Sequence, residues 1–109
     1  MSDALFVYGT LGPGKPNEHI MLAIGGEWFA GRVKGHLVNE GWGAEQGCPA
    51  IIPAQDGEWV EGHIFVSNNL SAHWQQLDDF EGSEYTRTLV EVDMENADNY
   101  QAYIYALNR

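Results

Sequence analysis

Cysteine is nearly absent from this chain of 109 residues: Cys48 stands alone, so no internal disulfide can form and a reducing compartment is expected. Basic residues are scarce as well. Five Lys+Arg against 16 Asp+Glu leave a formal net charge of -11. Such a charge repels phosphates and anionic lipid surfaces at long range, which argues against a nucleic-acid or membrane partner. It also means that an anionic substrate has to be gripped by main-chain N–H groups, since no basic patch is at hand. No apolar run is long enough to span a bilayer. The opening Met1-Ser2-Asp3-Ala4 is unlike a signal or transit peptide, so a cytoplasmic location is expected. Repeats, linkers and low-complexity tracts are missing too, and the length fits one domain over residues 1–109.

What is present is strand-rich. Ala4 to Tyr8 is a short apolar run that reads as a buried strand. Gly9 to Pro16 holds three glycines and two prolines and reads as a loop. Asn17 is placed to cap a short helix through Ala23, ended by Gly25-Gly26. Trp28 to Val38 reads as a strand interrupted by Gly31 and Gly35, which suggests a bulge or a bend at a closed sheet. Asn39 to Pro49 is a glycine-rich loop, Ala50 to Pro53 an edge-like strand, and Gln55 to Glu58 a turn. Trp59 to Val66 alternates, with Val60, Gly62, Ile64 and Val66 on one face and Trp59, Glu61, His63 and Phe65 on the other.

Asn68 to Ser71 opens the clearest helix, in which Leu70, Trp74 and Leu77 recur at helical spacing and Gly82 supplies the stop. Tyr85–Met94 and Tyr100–Leu107 then form a hairpin across the turn Glu95–Asp98. Five or six strands and one or two helices in so short a chain close most economically as a small mixed β-barrel with helices outside, an α+β fold.

Two features carry chemistry. The first is the turn Tyr8-Gly9-Thr10-Leu11 at the end of the opening strand. Glycine allows close approach of a ligand, successive N–H groups can converge on an anion, and the Thr10 hydroxyl adds a donor or acceptor. No Gly-Lys-Ser/Thr follows, and no Gly-x-Gly-x-x-Gly opens a helix, so this is neither a phosphate loop nor a dinucleotide fingerprint. Taken alone it is equally a plain chain reversal. The second is Glu81, at the end of the helix in Leu77-Asp78-Asp79-Phe80-Glu81-Gly82. The negative end of the helix dipole and apolar neighbours such as Phe80 and Trp74 disfavour its charge, while Asp78 and Asp79 fall toward the polar side. Taken alone it also fits a solvated acidic helix end.

Phe6-Val7-Tyr8-Gly9-Thr10-Leu11, then Gly14-Lys15-Pro16-Asn17, the segment Pro49–Pro53, and Leu77–Gly82 with Tyr85 and Arg87 together resemble the γ-glutamylcyclotransferase-like family, over nearly the whole chain. The resemblance implies a small barrel with flanking helices and a cavity at one end. It implies that Tyr8, Gly9, Thr10 and Leu11 hold a γ-glutamyl group, that Glu81 is the catalytic acid and base, and that Tyr85 binds substrate beside it. Tyr103 and Tyr105 are expected along the cavity. The implied reaction cyclises a γ-glutamyl group to 5-oxoproline and releases an amine or amino acid; it needs no metal and no cofactor.

The alternative is a non-catalytic module that binds a small ligand on the same barrel. A thiol enzyme built on Cys48 lacks a nucleophile signature. His19, His36, His63 and His73 lack ligand spacing, so no metal site is expected. The four tryptophans read as packing residues, with Trp42 a candidate cover for the cavity. Composition leaves the oligomeric state and the leaving amine open.

Overall fold

Alternation along the strands sets up two apolar layers, one inside the sheet and one between the sheet and its helices. The computed structural model of the protein describes residues 3–9, 11–39, 50–94 and 99–107. The elements are β1 (Asp3–Val7), α1 (Glu18–Ile24), β2 (Glu27–Val38), β3 (Ala50–Pro53), β4 (Glu58–Ser67), a 3-10 turn (Leu70–Ala72), α2 (Trp74–Glu81), β5 (Tyr85–Val92) and β6 (Tyr100–Leu107). The six strands form one sheet in the order β3-β2-β4-β1-β6-β5. All neighbours are antiparallel except β1 and β6, which are parallel with Leu5 opposite Tyr103 and Phe6 opposite Ile104.

The sheet curls into a nearly closed barrel. Arg32 of β2 and Asp93, just past β5, exchange main-chain hydrogen bonds of 3.0 and 2.8 Å and form a bridge across the gap. Inward-pointing residues fill the interior: Ala4, Phe6, Val33, Ile51, Val60, Ile64, Val92, Ala102, Ile104 and Ala106. Glycine makes this filling possible. Gly31 and Gly62 are register partners. A Cβ on Gly31 would stand 2.6 Å from the Val92 side chain, and one on Gly62 would stand 2.7 Å from the Phe6 ring. Both strands run unbroken through these glycines, as the alternation in β4 implied for Gly62, whereas at Gly31 close packing stands where an interruption was expected.

The outward residues of β1, β4 and β6 meet the helices. Leu5, Val7, Phe65 and Tyr105 pack against Met21 and Ile24 of α1, Leu77 of α2, and Leu70 and Leu11. Asn17 precedes α1 but makes no side-chain capping bond. Backbone turns from Lys15 to Glu18 and from Asn17 to Ile20 start that helix, and Gly25 ends it at φ +84° with its N–H on the Met21 carbonyl. The single helix expected after Asn68 is two pieces, a 3-10 turn and α2, with a break at His73. The loop Glu40–Pro49, with Trp42 and Cys48, and the turn Glu95–Asp98 lie outside the described residues, as does Thr10. Among the described residues no helix is long and apolar enough to cross a membrane.

Candidate active site at one end of the barrel

Strand directions bring the two sequence features to one end of the barrel. The parallel pairing sends β1 and β6 toward the same end, and β5, antiparallel to β6, starts there. The loop leaving β1 and the α2 terminus feeding β5 therefore flank β6, two strand spacings apart, about 10 Å. The register runs on from Val7 to Tyr105, which faces Arg87.

The residues expected to form the binding loop differ in their surroundings. Gly9 and Gly12 close a β-turn through a 3.1 Å bond from the Gly12 N–H to the Gly9 carbonyl. Leu11 buries its side chain against the helix-side layer and so pins the turn to the barrel wall. The Tyr8 ring points inward, stacked beside Phe6 with centroids 6.4 Å apart. Its hydroxyl donates to the Tyr105 carbonyl at 2.8 Å and accepts the Ile51 N–H at 3.1 Å. The phenol thus joins the end of β6 to β3, which are not sheet neighbours. Sequence alone gave Tyr8 to the ligand; the geometry adds this tie across the barrel.

Glu81 closes α2, and Gly82 follows at φ +85° with its N–H on the Asp78 carbonyl. Burial raises the carboxyl to a pKa of about 7. The dominant cause is loss of hydration, as the apolar neighbours suggested. Phe80, Trp74 and Tyr85 lie against the same apolar layer as Leu11.

Three further residues complete this end. The Tyr105 hydroxyl donates to Asp78 Oδ1 at 2.7 Å, and Arg87 Nε lies 3.6 Å from the same oxygen. The guanidinium sits 4.4 Å from the Trp74 ring centroid and 5.3 Å from that of Tyr103. Its Nη1 is buried and has no hydrogen-bond partner among the described residues, so the ring faces stand in for one. Burial and the bond to Asp78 push the Tyr105 phenol well up; Arg87 opposes this, and the charge of Glu81 adds to it.

Asp78 was expected on the polar side of α2 and is instead turned onto β6. It sits four residues after Trp74 and three before Glu81, a spacing that shares a helix face with both. That spacing was the available signal. An open cavity of about 520 Å³ beside this cluster has Asp78, Tyr85, Thr86, Arg87 and Tyr105 on its wall; Glu81, Gly9 and Leu11 do not line it. Tyr103 packs on Trp74 with ring centroids 5.2 Å apart and is likewise absent from that wall.

Comparison with known proteins places this arrangement. The family model described as "Gamma-glutamyl cyclotransferase, AIG2-like" matches residues 5–109. The chain belongs to that family. An AIG2-like mouse protein of known structure is 32% identical with a TM-score of 0.71, over 96% of this chain and 76% of its own. YkqA from Bacillus subtilis is 28% identical with a TM-score of 0.74; the match takes in 99% of this chain but only 36% of YkqA. An Arabidopsis thaliana protein shares the fold at 23% identity and a TM-score of 0.74, with 98% of this chain and 62% of its own covered. No curated protein sequence matches. Family membership makes this a cyclotransferase-like chain by descent and fold, with the six-stranded barrel and two helices of its relatives.

Proposed function

We propose that the protein cyclises a γ-glutamyl group to 5-oxoproline with release of an amine or amino acid, using Glu81 as acid and base. The observation that carries this reading is a carboxyl whose pKa burial brings to about 7, at the barrel end where the Tyr8–Leu11 turn emerges.

In the reaction the substrate's α-amine attacks its own γ-carbonyl. A C–N bond closes the five-membered lactam and the original amide C–N bond breaks. The nucleophile belongs to the substrate, so no serine or cysteine is called on, and ring closure gains a high effective molarity once the substrate is folded. Main-chain donors from Gly9 to Leu11 take the α-carboxylate, a grip that suits a protein of net charge -11. Glu81 as carboxylate accepts the proton from the attacking amine, then returns it to the leaving nitrogen. A carboxyl near neutrality holds both forms in quantity, and such transfer contributes about 10²–10⁴-fold.

Incubation with a panel of γ-glutamyl amines and amino acids, reading 5-oxoproline, tests the proposal. Release by the wild type and loss of about 10²-fold or more in Glu81→Gln is the expected outcome. Ligands that raise the melting temperature without being consumed would support a binding module and refute catalysis.

A further inference from the structure

Glu81 sits at the end of a helix of eight residues that makes no side-chain capping bond at its start. Two turns of helix do not hold their own orientation in water, so contacts with the sheet must supply it. Leu77 anchors α2 through burial, which is non-directional. A directional restraint comes from Asp78, one turn before Glu81, held by the Tyr105 hydroxyl at 2.7 Å with Arg87 on its other flank at 3.6 Å. Tyr105 is itself buried, and its carbonyl receives the Tyr8 hydroxyl at 2.8 Å. One residue of β6 therefore holds the strand end that launches the binding turn with its main chain, and the helix that ends in Glu81 with its side chain.

We propose that Tyr105 is a positioning residue for the reaction, fixing Glu81 relative to the Tyr8–Leu11 turn through its paired bonds to Asp78 and Tyr8. The inference rests on the cyclisation reading for its catalytic consequence; the tether itself is independent of it. Ring closure in a bound substrate is sensitive to placement, and a shift of about 1 Å in an acting group can cost about 10²-fold.

Tyr105→Phe removes only the hydroxyl and leaves the carbonyl and the ring. Its kcat for 5-oxoproline release is expected to fall about 10-fold or more, with KM within about twofold of wild type. Asp78→Ala should lower kcat at least as far, since it also removes the Arg87 pairing, and adding Tyr105→Phe to it should cost nothing more, because the connection is already cut. The second readout is carbon NMR titration of the Glu81 carboxyl. The charged and titratable groups around this helix end are Asp78 and Asp79 on α2, Tyr85 and Arg87 on β5, and Tyr105 on β6. In Tyr105→Phe the Asp78 charge remains, so a midpoint lowered by about half a unit or more reports water reaching a loosened Glu81. Packing alone would lower the melting temperature and leave kcat and midpoint unmoved, which overturns the proposal. If the wild type releases no 5-oxoproline from any substrate, the cyclisation reading fails instead, and the NMR midpoint still decides for or against the tether.

Discussion

Replacing Glu81 with glutamine should stabilise the protein above neutral pH, and the amount follows from the burial of the carboxyl. Its pKa in the folded chain is about 7 against an ordinary value of 4.5. Between those values the folded state binds more proton than the unfolded one, so stability falls as pH rises. The contribution is fully present below about pH 4.5 and lost as pH passes about 7. A gap of two to three units corresponds to about 3 kcal/mol. Glutamine has the shape of the protonated carboxyl and no proton to lose, so the variant keeps that contribution at every pH. Thermal melts from pH 5 to pH 8.5 should therefore show the two proteins close together at the acid end and the variant ahead by about 10 °C at the alkaline end. Other acidic groups titrate in both proteins and cancel in the difference. A difference that stays flat with pH would refute the buried, high-pKa carboxyl, whatever the activity assays show. On the proposed mechanism the same substitution removes the proton carrier, so the prediction pairs a gain in stability with a loss of turnover at one position.

The barrel itself invites three further tests. Tyr8→Phe strands the Ile51 N–H and the Tyr105 carbonyl that the hydroxyl now satisfies, so urea unfolding should show a loss of about 2–4 kcal/mol. Gly62→Ala would push a methyl group against the Val7 carbonyl and the Phe6 ring; a loss of about 3 kcal/mol is expected from the same measurement, with no role for loop flexibility. Arg32→Ala should cost under about 1 kcal/mol at moderate salt, because its ion pair with Asp93 is partly exposed and the barrel bridge there is made by main-chain atoms.

Much of the architecture is legible because period-two alternation is local information. Val60, Gly62, Ile64 and Val66 share a face in the sequence and share the barrel interior in the structure. Gly82 likewise ends α2 where the helical spacing stops. The departures inside the barrel involve partners distant in sequence. Asp78 looks like a solvated acid until β6 brings Tyr105 to it from 27 residues away. Tyr8 looks like a ligand contact, and its ties to Ile51 and Tyr105 span 43 and 97 residues, separations that no local pattern encodes. Gly31 and Gly35 look like interruptions because a lone sequence does not show the Val92 and Ile51 side chains that press on them. Asn17 was a reasonable cap by type, but backbone turns already start that helix.

The parallel pairing of β1 with β6 explains why the turn and the glutamate lie at the same end of the barrel. Every other neighbour in the sheet is antiparallel. Were β1 to run the other way against β6, its turn would leave from the opposite end, about 17 Å away over a five-residue strand. No side-chain adjustment could close that distance to Glu81. A parallel pair needs a long crossover, and here the rest of the domain supplies it: β2 through β5 and both helices lie between β1 and β6 in the chain. The first strand and the last are thus brought side by side only when the barrel has formed, and the proposed site depends on that pairing. Substitutions that open the barrel seam, at Tyr8 above all, should therefore weaken the site and the fold together, whereas Tyr105→Phe should separate them.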